Sequence, residues 1–262
     1  MTKDNVVLAA AGIEHARLVD YGNEHLAAMP DTCDKACDKD QRPAKVFSEY
    51  TGGEFRLDNP DVTGLTRVAV AFEVGGWHSD DLVATCVLQI LLGGGDSFSA
   101  GGPGKGMYSR LYREVLNRFY WVDAAEAFTS MHEESGLLGI SGASSPAKSA
   151  DLALVFLEHF AKLAVQPVTD EELSRARNML KCNVLTQLES RAVLFEDIGR
   201  QLLTYGERSP PSEICEKIAN VTKEDIMRVA KTAMMKPPSI SSAGGDLSKV
   251  PTFEQIKHLR VK

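Results

Sequence analysis

The sequence predicts an α+β fold: a mixed or antiparallel sheet with helices packed on one face. Three observations carry this reading. Thr66 to Val74 alternates and places Val68, Val70, Phe72 and Val74 on one side, the period of a half-buried strand. Phe119 to Thr129 and Gly136 to Ala143 read as two strands joined across the polar run Ser130 to Ser135. From Ala147 to Met235 the chain reads as successive helices, before Ser239 to Ala243 returns as a last short strand. Strands that neither alternate strictly with helices nor stand all together describe α+β layers.

Taken in order, Asn5 to Ala10 reads as a strand with nothing before it to pair with. Its partner is expected elsewhere, in a preceding part of a longer protein or in another chain. Glu14 to Ala28 reads as a helix and Met29 to Gln41 as a polar connection. Tyr50 to Arg56 is a strand interrupted by Gly52-Gly53, and Asn59-Pro60 marks a turn. Gly75-Gly76 ends the alternating strand, and Ser79 is placed to cap a helix from Asp80 to Leu92. A short helix, Tyr108 to Leu116, precedes the strand pair. Ala147 to Val165 is amphipathic. Thr169 and Glu172 form a capping box that opens a long helical pattern reaching about Tyr205. Pro210-Pro211 and Thr222 start two further helices, Pro237-Pro238 stops the second, and Thr252 to Leu259 is a last helix.

At 262 residues and a net charge of -7, the chain is large enough for a substantial core and is poorly suited to bulk affinity for nucleic acid. No apolar run approaches a membrane span; the longest, Leu82 to Leu92, is interrupted by Thr85 and Gln89. The cysteines are Cys33, Cys37, Cys86, Cys182 and Cys215, an odd number with three in predicted helices, which points to a reduced compartment. Cys33 and Cys37 have the spacing of half a zinc site, but no second Cys/His pair follows, so they read as free thiols in a solvated connection.

Residues 93 to 106 hold seven of the 21 glycines, between two predicted helices. A glycine tract inside a domain is more often a functional loop than a linker. Phosphate-binding patterns fail there. A P-loop ending at Gly104-Lys105 requires glycine where Ser99 stands and a hydroxyl where Gly106 stands. The dinucleotide spacing meets Phe98, Met107 or Ser109 where glycine is needed. Accessible backbone, with Phe98, Met107, Tyr108 and Lys105 nearby, suits contact with an extended peptide. None of His15, His25, His78, His132, His159 and His258 belongs to an HExxH or HxxEH pattern, and all six read as satisfied or solvated. GxSxG is absent, and Cys86 and Cys182 read as core. The chain therefore presents no catalytic or metal-binding residues.

GGGDSFSAGGPGKGMYSRLYREVLNR, residues 93–118, resembles the glycine-rich loop region of the processing-peptidase α-subunit family, a branch of the pitrilysin-like (M16) metallopeptidases. VLAAAGIEHARLVDYG (7–22), QLESRAVLFEDIGRQLLTYGER (187–208) and GDLSKVPTFEQI (245–256) resemble the same family. The resemblance implies an M16-type two-layer domain. It makes 1–28 the tail of an N-terminal M16 domain, 29–49 a linker and 50–262 a C-terminal M16 domain. It implies a non-catalytic, substrate-recognition role in the mitochondrial matrix, alongside a β subunit that carries zinc and the catalytic glutamate. The presequences of imported precursors would be bound by Gly93, Gly94, Gly95, Asp96, Ser97, Phe98, Ser99, Ala100, Gly101, Gly102, Pro103, Gly104, Lys105 and Gly106. Basic presequences would suit the chain's acidic balance. Asp96 stands where the family usually has glycine or serine, and most of the family's first domain has no match here. The same ancestry allows two alternatives: a structural core protein of respiratory complex III, or an active peptidase whose zinc motif lies upstream.

Overall fold

The computed structural model describes residues 6–30, 49–59, 64–96 and 107–258. The chain divides into two compact units, one of Met1–Glu49 with Lys181–Cys215 and one of Tyr50–Leu180 with Glu216–Lys262.

The second unit holds a six-stranded sheet of β1 (Gly53–Asp58), β2 (Thr66–Gly75), β3 (Gly94–Asp96), β4 (Val122–Met131), β5 (Ser135–Ser144) and β6 (Ser239–Gly244). Their order is β1-β6-β2-β5-β4-β3. β1 and β6 run parallel and every other pair antiparallel, which makes the sheet mixed as expected. β1 is not interrupted by its glycines but starts after Gly52. That residue turns at φ +67°, where a side-chain carbon would meet the Pro238 carbonyl at 2.7 Å, and Gly53 N–H then donates to that carbonyl at 3.2 Å. Arg56 donates to the carbonyls of Leu247 and Val250, both at 2.9 Å, and fastens the C-terminal segment to this edge.

Helices α2 (Leu82–Leu92), α3 (Ser149–Val165) and α7 (Lys223–Met234) pack on one sheet face. Val68, Val70 and Phe72 of β2 and Leu138 and Ile140 of β5 are buried against Leu88, Phe156, Phe160, Leu163, Ile226 and Ala230. Phe72 meets Phe160 edge to face at 5.0 Å. α2 begins at Leu82, two residues later than expected, because Ser79 first closes a turn: its Oγ accepts from Asp81 N–H and its carbonyl from Leu82 N–H. α7 is capped by a Thr222–Asp225 box.

The predicted helix of residues 108–116 is a π-helical turn, Tyr112–Leu116, in which Asn117 N–H reaches back to the Tyr112 carbonyl at 3.0 Å. It is tied down by Arg110, which forks onto both Glu172 oxygens at 3.0 and 3.1 Å. Glu172 is also held by Thr169 N–H and Oγ1, both at 3.1 Å, as the expected capping box of α4 (Asp170–Leu188). Burial pushes the Glu172 carboxyl up, but the Thr169 N–H and the Arg110 guanidinium outweigh it and hold the group below its ordinary range. His159 of α3 departs from expectation. It is buried, and its Nδ1 has no hydrogen-bond partner. Burial is the main reason that its pKa is pushed down to about 4.

The helical pattern expected to run unbroken to Tyr205 is two helices, α4 and α5 (Arg191–Tyr205). Ser190 turns extended, at φ -77° and ψ 122°, and becomes the N-cap of α5. Left-handed Gly206 ends α5, its N–H donating to the Leu202 carbonyl at 3.0 Å. The first unit also contains α1 (His15–His25). Residues 6–10, expected as a strand, pair with no strand among the described residues.

Two outcomes test this account. Glu172→Gln leaves the Arg110 charge half-answered in a mostly buried site and should lower unfolding free energy by roughly 3 kcal/mol in denaturant titrations. For His159, the unfolded imidazole takes up a proton near pH 6.5 and the folded one only near 4. The unfolded state therefore binds the extra proton in that window. Stability is fully present above pH 6.5 and falls by on the order of 3 kcal/mol as pH drops to 4. His159→Leu should flatten the melting temperature between pH 6.5 and 5, where most carboxylates have yet to titrate.

Candidate functional site

The glycine tract leaves α2 at Gly93, which has φ +56° and donates to the Gln89 carbonyl at 2.8 Å, closing the helix. The Gly93 carbonyl accepts from Ala127 N–H at 2.8 Å. Gly94, Gly95 and Asp96 then form β3, the edge strand, opposite Glu126, Ala125 and Ala124. Gly94 admits no other residue: at φ +108° a side-chain carbon would lie 1.9 Å from the Ala125 carbonyl oxygen. Its N–H donates to Ser109 Oγ at 3.0 Å. The two arms of the tract are thus pinned to each other at its base, and Arg110 fixes the returning arm to α4.

Of the fourteen residues expected to meet a substrate, Gly93 to Asp96 form this base, and Ser97 to Gly106 lie outside the described residues. Met107 and Tyr108, at the start of the returning arm, are exposed.

Asp96 also lines something the sequence reading missed. The sheet face opposite the helices carries a hollow of about 610 Å³. Its floor is made of small side chains, among them Ala69 of β2, Ala124 of β4, Ser141 and Ala143 of β5, and Ser241 and Ala243 of β6. Asp96, Asp123 and Glu126 stand on the β3–β4 side, and Arg67 also lines the hollow. The signal lay in the same alternation that gave β2. The positions that alternate with Val68, Val70 and Phe72 are Arg67 before them and Ala69 and Ala71 between them, and the last strand interleaves Ser239, Ser241 and Ala243 in the same way.

The arrangement offers carboxylates, hydroxyls and an edge strand's backbone, which suit recognition of a polar or basic chain segment. Among the described residues no group of three or more His, Cys, Asp or Glu is placed to hold a metal ion. Cys86, Cys182 and Cys215 are free thiols, and burial pushes the Cys86 thiol up, away from the reactive thiolate.

Comparison with known proteins places this architecture. The Peptidase M16 inactive domain matches residues 1–180. The chain is 40% identical over 256 residues to the probable mitochondrial-processing peptidase subunit alpha-1 of Arabidopsis thaliana, covering 97% of this chain and 49% of that protein. It is 39% identical over 270 residues to the Caenorhabditis elegans mitochondrial-processing peptidase subunit alpha, covering 97% and 52%. For the human subunit alpha the figures are 36% over 267 residues, 98% and 50%. The chain thus spans about half the length of the curated relatives it matches. A chain of complex III2 from Candida albicans, Inz-5 bound, superposes with a TM-score of 0.78 over 94% of this chain and 56% of that one. At 16% identity that likeness speaks for the fold alone. The inactive-domain match over residues 1–180, on a mixed sheet with helices on one face, makes this chain a member of the M16 peptidase family.

Proposed function

We propose that this chain is a non-catalytic, substrate-recognition subunit of a mitochondrial processing peptidase, working in the matrix beside a zinc-bearing β subunit. One observation carries the reading. Relatives named as α subunits of that peptidase match 97 to 98% of the chain at 36 to 40% identity. In this reading the tract from Gly93 to Gly106 meets the presequence of an imported precursor. The pinned base supports it, because it stands at the edge of an acid-bordered sheet face. Asp96, Asp123 and Glu126 complement the basic side chains of such a peptide. The chemistry is left to the partner: neither HExxH nor HxxEH occurs in the sequence, and the chain supplies no general acid or base in the hollow beyond these carboxylates.

The decisive measurement mixes the chain with a β subunit and follows cleavage of a presequence peptide, with residues 97–106 intact or replaced by a short Gly-Ser bridge. The bridged variant keeps Gly94 and Ser109, and so keeps the base. A drop in kcat/KM of at least tenfold, about 1.4 kcal/mol, is expected. Unchanged cleavage and unchanged peptide binding would remove the tract from substrate handling. Elemental analysis of the chain alone should find no stoichiometric zinc; one zinc per chain would overturn the non-catalytic assignment.

A further inference from the structure

The strand register arranges the uncovered sheet face in two rows that cross the strands. Phe55 of β1 lies beside Ser241 of β6, and the row continues through Ala69 and Ser141 to Glu126 of β4. The next row runs from Leu57 through Ala243, Arg67, Ala143 and Ala124 to Asp96 of β3. Residues paired across strands point to the same face, so each row is one line of neighbouring side chains. Both rows begin with a large apolar side chain in water: Phe55 is 61% exposed and Leu57 46%. Both reach a carboxylate on the far side, across the small residues of the hollow. The positions that alternate with Phe55 and Leu57 are committed elsewhere. Arg56 is held by the Leu247 and Val250 carbonyls, and Glu54 accepts from Phe253 N–H at 2.6 Å. An edge strand is ordinarily kept polar or charged on its exposed side, because an apolar one invites association.

We propose that Phe55 and Leu57 are specificity-determining residues: they seat an apolar side chain of a cationic peptide whose basic side chains meet Glu126, Asp96 and Asp123 across the same face. The inference rests on the substrate-recognition reading above and adds a second requirement to it, an apolar residue at a set distance from the charge. Phe55 and Glu126 are four strand spacings apart, about 19 Å, which an extended chain covers in about six residues. A helix of about 10 Å diameter would fill roughly 1,500 Å³ over that span, whereas the hollow holds about 610 Å³. An extended backbone on a floor of alanine and serine is the shape that fits. The charges of the lining select the occupant. Three carboxylates stand there against the guanidinium of Arg67, so an acidic peptide, a nucleic acid or an anionic lipid surface is repelled. A wholly polar cation gains nothing from Phe55, and an uncharged apolar peptide gains nothing from Glu126. Opposed chemistry at the two ends of one face discriminates by the spacing between them.

Labelled peptides are titrated with the full chain at low ionic strength and followed by fluorescence anisotropy. One carries a phenylalanine about six residues from a pair of arginines. In a second that phenylalanine is replaced by serine, and in a third it stands next to the arginines. The first is expected to bind about tenfold more tightly than the other two, as burial of one apolar side chain predicts. The double variant Phe55→Ser, Leu57→Ser should bind all three alike, at the affinity the unaltered chain has for the serine peptide. Its melting temperature should match that of the unaltered chain, because both side chains are exposed on an edge strand. The comparison of peptides on the unaltered chain stands whether or not the variant folds. Glu126→Gln, by contrast, should weaken all three peptides. Equal binding of the three by the unaltered chain, or a preference that survives the double variant, overturns the apolar seat; if Glu126→Gln still weakens binding, the recognition reading stands without it. No binding of any peptide overturns the seat as well, and the recognition reading falls with it only if cleavage beside a β subunit is also indifferent to residues 97–106. A dimer of the chain that Phe55→Ser dissociates in light scattering would make a second copy the occupant and overturn the proposal.

Discussion

Val68, Val70 and Phe72 lie in one layer with Phe156 and Phe160, and that contact decides what every other part of the larger unit is free to do. α2, α3 and α7 cover a single face of the sheet. Because successive residues of a strand point to opposite faces, each apolar residue committed to this layer commits its neighbours to the other side. β2 and β5 sit in the middle of the strand order, so their register fixes which side chains of β4 and β6 share the uncovered face. The hollow is a consequence of that choice. It is floored with alanine and serine, which can be left in water at little cost.

The glycine tract divides by the same reasoning. Gly93 and Gly94 are there because nothing larger fits: one is crowded by Ser109 at 2.4 Å, the other by the Ala125 carbonyl at 1.9 Å. These contacts explain two glycines without appeal to a ligand. Gly95 is different. A side-chain carbon there would meet nothing within 4 Å, although its φ of +154° is one that residues with side chains rarely adopt. Within the described part of a tract that looks uniform in the sequence, packing thus demands two glycines and backbone conformation the third. Arg110 sharpens the distinction. An ion pair this poorly exposed to water needs its partners well placed, and the bidentate fork onto Glu172 holds the returning arm to α4 while the π-turn takes up the extra residue.

What was legible in the sequence was whatever has a period or a cap. The alternation of β2, the amphipathic α3, the box at Thr169 and the helix start at Thr222 stand within a residue or two of where the sequence puts them. What was not legible depends on neighbours distant in sequence. Ser190 breaks the long helix although nothing in the local period ends there. β1 starts after Gly52 because Pro238, far along the chain, occupies the space. His159 reads like any polar residue on an amphipathic helix, and only the folded core strands its Nδ1. The uncovered face needed the register of four strands before its small residues could be seen as one surface.

Two unburied surfaces remain, and their chemistry separates them. The hollow of the sheet face is small and polar, bordered by Asp96, Asp123 and Glu126, and water satisfies its floor. The surface made by α1, α5 and residues 6–10 is neither small nor polar. Each exposed Leu or Phe there forgoes about 25 cal/mol for every Å² of apolar area left in water. A marginally stable fold has little to spare against such losses. The first surface can stand open in water at little cost. The second leaves apolar side chains in water that burial would stabilise.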